Sequence, residues 1–341
     1  MIYLTVSKKK RVTQRGSTVI NIAICGVGGW GQNHARVFAF LRGEGLVDNV
    51  MLVDIDENRV KMIARRFGFV WTTKYEDVLK RDDIDGIVLA TPTKLHFEQA
   101  KQALNAGKHV LVEKPMTETV REAMELVRIA KEQDRILMTG FLLRYSPATL
   151  FVKKYYEENK LGKPLSVLAK RTSYWPNRPM DVGVIRDLAI HDIDLIRYIF
   201  NVEPVCVLAQ GGMLKHDYED YASIFIKYKD EFSGILSAMI EVNWVTPYKI
   251  RRMEVTGENA VLIIDYINHT VEILREEGKE IPNINYFEPL YKEDKNFVLS
   301  ITGKEKPFVT GRDGVIALKV CEAALRSIQK ASVEVINEVL A

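Results

Sequence analysis

Two short stretches of this chain hold side chains able to move protons. One is Glu113-Lys114-Pro115, where an ammonium group follows the end of an apolar run. The other is Asp187-Leu188-Ala189-Ile190-His191-Asp192-Ile193-Asp194. Helical spacing sets Asp187, His191 and Asp194 along one edge of a helix, near a start where backbone N–H groups are free. A carboxylate one turn from an imidazole fixes its tautomer and raises its basicity, as a general base requires. Plainer readings stay open: Asp187 as an N-terminal cap, His191 as a satisfied core histidine. His-x-x-Asp is also two thirds of a metal site, but no third ligand stands at suitable spacing and no metal is expected.

A redox partner for such groups is written earlier in the chain. The β-branched run Val19-Ile20-Asn21-Ile22-Ala23-Ile24-Cys25 stops at Gly26-Val27-Gly28-Gly29-Trp30-Gly31, after which His34, Val37, Phe38 and Leu41 follow at helical spacing. This is the G-x-G-x-x-G dinucleotide fingerprint in its context of strand, tight turn and helix start. The first glycine permits the turn, the second lets the backbone approach a pyrophosphate, and the third lets helix and strand pack closely. Asn49–Val53 reads as the next strand and ends on Asp54, 23 residues after Gly31, with Ile55 beyond it. An acid there accepts hydrogen bonds from both adenosine ribose hydroxyls and repels a 2′-phosphate, which favours NAD over NADP. Gly26, Val27, Gly28, Gly29, Trp30, Gly31, Asp54 and Ile55 are therefore the candidate cofactor contacts at this end.

The elements that must position these groups follow from periodicity. Strands are expected at 19–25, 49–54, 68–72, 86–90, 109–113 and 136–140, with helices at 31–42, 57–66, 75–81, 95–106 and 118–133. Alternation of this kind makes a parallel sheet with helices on both faces, a Rossmann domain spanning 19–141. Lys114 then stands at the carboxyl end of strand 109–113, where open parallel sheets bind ligands. Elsewhere E-K-P would be ordinary surface composition. Pro115 restricts Lys114 to extended geometry and permits a cis bond.

Past Gly162-Lys163-Pro164 the pattern becomes an antiparallel meander at 164–175, 204–214, 221–229, 232–244, 248–256, 260–267 and 270–275, interrupted by a helix at about 187–200. The expected second unit, 142–311, is an α+β domain with an open, mainly antiparallel sheet, followed at 312–341 by a helix packing back near the domain junction. Strand 232–244 is half-apolar on both faces, so helices must cover one and a second subunit the other, as in a homodimer or homotetramer. Residues 1–18, with Lys8, Lys9, Lys10, Arg11 and Arg15, read as a basic arm.

Composition excludes several classes. A net charge of +3 is too small to imply nucleic acid, and 47% apolar with 27% charged residues is ordinary for a globular chain. No apolar run is long enough to cross a bilayer. Three scattered cysteines suggest a reducing compartment, so a cytoplasmic location is expected.

Taken together, the motifs resemble the Gfo/Idh/MocA family of sugar and cyclitol dehydrogenases. The resemblance rests on GVGGWG, on A-T-P-T-K-L-H at Ala90–His96, on Glu113-Lys114-Pro115, on Gly140-Phe141-Leu142-Leu143-Arg144-Tyr145, and on the D-x-x-x-H-x-x-D of Asp187, His191 and Asp194. It implies a catalytic group of Lys114, Asp187 and His191 in the cleft between the two domains. It implies that Thr91, Pro92, His96 and Glu113 lie by the cofactor and that Arg144 and Tyr145 line the junction. On that footing His191, oriented by Asp187, takes the proton of a ring hydroxyl while Lys114 holds the same oxygen. Many members carry three glycines before the catalytic helix. Here the run is Asp181-Val182-Gly183-Val184, a departure that bears on substrate identity.

The segment Glu241–Arg252, with N-W-V-T-P-Y-K-I-R, resembles that of members acting on nucleotide sugars, and Asp181–Asp194 resembles UDP-N-acetylglucosamine 3-dehydrogenases. The expected substrate is a UDP-N-acetylhexosamine oxidised at C3. Arg171, Tyr174 and Trp244 join Lys114, Tyr145, Asp187 and His191 as candidate substrate contacts. Basic positions Lys170, Arg171, Lys249 and Arg251 could meet a diphosphate, and Tyr174, Trp175 and Arg178 could form a lid. Three alternatives stay open: a myo-inositol or free-sugar dehydrogenase, an NAD-dependent glycosidase, and a dinucleotide-binding sensor without chemistry.

Overall fold

The structure, a computed structural model, describes residues 20–175, 180–230 and 234–336. The expected basic arm at 1–18 and the lid residue Arg178 lie outside the described residues.

The first sheet is built from β1 (Ile20–Cys25), β2 (Val47–Val53), β3 (Val70–Thr72), β4 (Gly86–Leu89), β5 (His109–Glu113) and β6 (Leu137–Gly140). Its order is β3-β2-β1-β4-β5-β6, and every pairing is parallel. Helices α1 (Gly29–Gly43), α2 (Glu57–Phe67), α3 (Tyr75–Leu79), α4 (Thr93–Asn105) and α5 (Val120–Glu132) make the crossovers. Strands covered on both faces must be apolar throughout, which is why β1 and β4 are buried along their whole length. Helix ends are set locally. Asp56 accepts the Arg59 N–H to start α2, and Gly68 closes it in the left-handed conformation at φ +66. Thr119 and Glu122 form a capping box on α5.

A 3-10 turn at Leu142–Tyr145 and helix α6 (Pro147–Glu157) lead into the second unit. Its sheet comprises β7 (Pro164–Thr172), β8 (Glu203–Gly212), β9 (Tyr221–Asp230), β10 (Gly234–Asn243), β11 (Ile250–Gly257), β12 (Val261–Asp265), β13 (Thr270–Arg275), β14 (Gly278–Glu280) and β15 (Glu334–Val335). The order is β14-β13-β12-β11-β7-β10-β9-β8-β15. The sheet departs from a pure meander at its centre, where β7 and β10 run parallel. Helix α7 (Ile190–Phe200) covers one face, and β10 turns Leu236, Ala238, Ile240 and Val242 toward it, all buried.

Two helices tie the units together. α9 (Gly311–Lys330) gives Val315 and Leu318 to the core of the first sheet and Ala317, Val320, Cys321 and Ala324 to that of the second. α8 (Pro289–Ile301), opened by Pro289, returns to the first unit and buries Leu290, Phe297 and Val298 against α1 and β1. The boundary drawn at 142–311 therefore differs from the packing, because a helix within that span completes the nucleotide-binding core. The periodicity reading above assigns no helix to α6 or α8.

Candidate functional site

At the nucleotide end, geometry separates the glycines by role. Gly26 has φ +82, and a Cβ there would meet the Ala90 carbonyl oxygen at 2.7 Å. A Cβ at Gly31 would lie 1.7 Å from the Gly26 carbonyl oxygen, so only glycine lets α1 pack this close to the turn. At Gly28 and Gly29 a Cβ would meet nothing within 4 Å, which leaves open space above the backbone. Gly28 caps α1 without any side-chain bond, and no acid sits in the first turn. The free N–H groups and positive dipole end suit an anion. These residues fit a dinucleotide pyrophosphate.

Asp54 is held as well as placed. Its Oδ2 accepts the Val27 N–H at 2.8 Å, and its Oδ1 accepts the Asp56 N–H at 2.9 Å. Arg59 stands 3.4 Å from both oxygens. Ile55 beside it is 93% exposed and Trp30 is also exposed, so both are bare surfaces next to the turn. Thr91 donates to Gln99 Oε1 at 2.7 Å, and Pro92 begins α4. His96 is buried, with Nδ1 and Nε2 at 2.9 and 2.8 Å from the Pro115 and Thr91 carbonyl oxygens. Burial lowers its pKa against the pull of those carbonyls; the neutral ring has a single N–H, so it donates to one of the two carbonyls and packs beside the other, between the loops after β4 and β5.

Where the two units meet, Lys114 follows β5, and its bond to Pro115 is cis. Lys114 Nζ donates to Asp187 Oδ1 at 2.7 Å and to the Asp187 carbonyl at 2.8 Å. The two side chains are only 9% and 10% exposed. Asp187 sits in a π-helical turn, Ile185–Ala189, that opens α7, a wide-turn geometry frequent at functional positions. Gly183 leaves room for the Glu219 carboxyl, 2.1 Å from where a Cβ would stand. Glu219 in turn accepts the N–H groups of Val184 and Ile185.

His191 follows in the first turn of α7, and its Nδ1 is buried with no hydrogen-bond partner among the described residues. Burial, followed by the positive charges of Lys114, Arg171 and Arg251, holds the imidazole pKa well below its ordinary value. The ring is neutral at pH 7. The expectation that Asp187 orients His191 meets a different arrangement, in which the Asp187 carboxylate turns to Lys114 and the imidazole Nδ1 is left open.

The third residue of that edge also goes elsewhere. Arg144 makes a bidentate pair with Asp194, Nε to Oδ2 at 2.8 Å and Nη2 to Oδ1 at 2.6 Å, and also meets Asp313 at 2.9 Å. Enclosed by two carboxylates, the Arg144 guanidinium braces the 3-10 turn against α7 and α9. Tyr145 is buried and donates to Asn296 Oδ1 at 3.1 Å. Both line the junction between the units.

Arg171 is buried in a second bidentate pair, with Asp192 at 2.6 and 2.8 Å, so its charge is already met. Lys170 pairs with Glu241. Arg251 lies opposite Arg171 across the β11–β7 pairing and, among the described residues, donates to the carbonyls of Thr172 and Ile250. No carboxylate pairs with it among the described residues. Burial and then Arg171 push its pKa down to about 10. Trp244 is buried edge-on against Trp175 at 5.2 Å, and Tyr174 is exposed.

One buried group was not singled out from the sequence. His34 Nε2 lies 3.1 Å from Glu113 Oε1, and His34 Nδ1 lies 2.8 Å from Asp294 Oδ1. Burial disfavours the charged ring, but Asp294 and Glu113 together outweigh it and raise the pKa well above the ordinary value. The imidazolium therefore donates to both carboxylates. Glu293 beside it is wholly buried, and neither carboxyl oxygen has a hydrogen-bond partner among the described residues. Burial, then Glu113 and Asp294, push its pKa well up, which favours the protonated carboxyl. The available signal was the place of His34 on the apolar edge of α1, four residues before Phe38 and seven before Leu41.

Comparison with known proteins bears on family and fold. A family model described as an oxidoreductase family with an NAD-binding Rossmann fold matches residues 20–141, and the C-terminal domain model of the same family matches 149–263. The UDP-N-acetylglucosamine 3-dehydrogenase of Acidithiobacillus ferrooxidans is 28% identical over 313 residues, covering 89% of this chain and 94% of that protein. The NAD-dependent scyllo-inositol 2-dehydrogenase of Bacillus subtilis is 28% identical over 326 residues, covering 91% and 94%. A solved structure of the Acidithiobacillus enzyme superposes with a TM-score of 0.80 at 25% identity, covering 92% of this chain and 98% of that one.

Proposed function

This chain belongs to the Gfo/Idh/MocA family of NAD-binding oxidoreductases, and from that membership we propose that it oxidises a secondary ring hydroxyl of a nucleotide sugar, preferably C3 of a UDP-N-acetylhexosamine. The family acts on sugar and polyol hydroxyls; the particular substrate is our reading. The observation that carries it is a neutral imidazole whose buried Nδ1 has no partner among the described residues, beside the Lys114–Asp187 pair. Oxidising an alcohol requires the O–H proton to leave, and His191, uncharged at pH 7, is the group able to take it. Lys114 holds the same oxygen and stabilises the alkoxide charge that develops there, while Asp187 fixes where the ammonium points. NAD, when bound, supplies the hydride acceptor.

Gly26 to Gly31 and the start of α1 would hold the pyrophosphate, with Trp30, Ile55, Thr91 and Pro92 around the rest of the dinucleotide. Asp54 would take the adenosine ribose hydroxyls. Its fixed carboxylate favours NAD over NADP. The nucleotide-sugar reading is supported by Arg251, a partly buried cation left without a carboxylate near His191, where a phosphoryl oxygen would compensate it. The exposed Tyr174 and the half-buried Trp175 lie on the segment after β7, whose Thr172 carbonyl accepts from Arg251. The Acidithiobacillus relative acts on such a sugar. An inositol substrate is the second reading, favoured by a relative of equal identity that acts on scyllo-inositol.

A homodimer or homotetramer through the second sheet is part of the same proposal. Its uncovered face carries Leu208, Phe225, Met239 and Leu168 in one cross-strand row, each 42–48% exposed. Among the described residues no helix is long and apolar enough to cross a membrane.

The deciding experiment follows NADH absorbance across UDP-sugars, inositols and free hexoses. The expected result is turnover fastest with a UDP-N-acetylhexosamine. Turnover with myo-inositol but none with any UDP-sugar would replace this reading with the second.

A further inference from the structure

The cluster around His34 lies behind Lys114, and no step of the proposed chemistry uses it. A single ring joins three elements far apart in sequence: α1, the end of β5, and α8, the His34–Asp294 bond spanning 260 residues. Glu113 uses both of its oxygens inside the protein. Oε1 meets His34, and Oε2 accepts the Lys114 N–H at 3.2 Å. Gly140 presses on the same carboxylate, since a Cβ there would lie 3.2 Å from Glu113 Cδ and Oε2. The Glu113 side chain is thus a bracket with one end on the imidazole and the other on the backbone that carries Lys114. We propose that His34 is a positioning residue for Lys114, acting through Glu113 to hold the β5 terminus where the ammonium reaches Asp187.

The arrangement suits that task. A doubly bonded imidazolium between two buried carboxylates has one orientation, unlike an apolar side chain of the same size, and charge-assisted bonds are short and directional. Lys114 has a long flexible stem, so its ammonium position depends on where its backbone starts. A displacement near 1 Å in a reacting group costs on the order of 100-fold in rate.

The inference rests on Lys114 acting on the substrate, and the experiment separates the two claims. Turnover and NADH affinity, the latter by fluorescence titration, are measured for the full chain, Lys114→Met, His34→Gln, Glu113→Gln and the double variants Lys114→Met/His34→Gln and His34→Gln/Glu113→Gln. Expected is a fall in kcat of roughly 10- to 100-fold for His34→Gln with NADH affinity changed less than about threefold. Glu113→Gln should match it, and the double His34→Gln/Glu113→Gln should be no worse than either alone. In the Lys114→Met background His34→Gln should lower the residual rate no further. A further drop there, or a loss of NADH affinity equal to the loss of rate, would show that His34 acts through the cofactor helix and overturn the inference. Wild-type turnover by Lys114→Met would instead remove the catalytic reading from which it starts. Should His34→Gln fail to fold, Glu113→Gln with and without Lys114→Met distinguishes the same two outcomes.

Discussion

Replacing Lys114 by Met keeps the length and volume of the side chain and deletes only its charge, which isolates the ammonium. In the fold the Lys114–Asp187 pair is 2.7 Å long and about one-tenth exposed on each side. Removing one partner of a buried pair costs up to about 3–5 kcal/mol, and less where the remaining charge keeps another contact. The urea midpoint of Lys114→Met should fall accordingly. Turnover should fall about 100- to 1,000-fold, the usual effect of losing one group that stabilises developing oxyanion charge. The double variant Lys114→Met/Asp187→Leu replaces the pair with apolar groups and should regain most of the stability while turnover stays low.

A third readout follows from electrostatics. After burial, Lys114 is the largest cause holding the His191 pKa down. The active base is the neutral ring, so activity is lost as pH falls through its pKa. Without Lys114 that pKa rises, while burial, Arg171 and Arg251 still hold it below the ordinary value, and the acid limb of kcat/KM moves to higher pH. An acid limb that stays put or moves down, or a double variant that recovers turnover with stability, would refute the assignment of roles.

Other perturbations test other parts of the scaffold. Gly183→Ala puts a Cβ 2.1 Å from the Glu219 carboxyl, so that flexible side chain must swing aside and give up its bond to the Ile185 N–H, a loss of roughly 0.5–1.5 kcal/mol; an unchanged denaturant midpoint would contradict that role of Glu219. Glu293 has a raised folded pKa, so its contribution is full below the ordinary carboxyl value and is lost as pH rises through the folded pKa. Glu293→Gln should therefore narrow the difference between unfolding midpoints measured at pH 5 and pH 8, and parallel pH profiles would count against a protonated Glu293. Arg144→Met should lose about 3–5 kcal/mol by stranding Asp194, whereas Asp313 keeps Arg197 at 2.6 Å. Arg144→Lys should recover little, since an ammonium cannot make the bidentate contact; full thermal stability of the lysine variant would oppose this.

Much of the first unit is legible from local pattern. The strand at 109–113 matches its observed limits, and α1 begins two residues before the expected 31. The strand, the glycines and Asp54 occupy one short chain segment, so their relation is set by turn chemistry and helix initiation. Helix α8 shows the opposite case. Pro289 at its start and Leu290, Phe297, Val298 and Ile301 at helical intervals were available signals, yet the helix lies in a polar stretch whose apolar stripe is narrow. What makes it stable is the surface of α1, more than two hundred residues away in sequence.

The residue types able to move a proton were plain from the amino-acid order, as was the end of the sheet at which Lys114 stands, because both follow from contacts within a strand or a single helical turn. Which carboxylate answers which cation was settled only by tertiary folding. Lys114 with Asp187, Arg144 with Asp194 and Arg171 with Asp192 span 73, 50 and 21 residues. Helical periodicity orders neighbours three or four positions apart and carries no information about partners brought by another element. Asp187, His191 and Asp194 share an edge by spacing, and the fold gave their polar groups separate surroundings: an ammonium for Asp187, a guanidinium for Asp194, and for the His191 Nδ1 a buried position with no partner among the described residues.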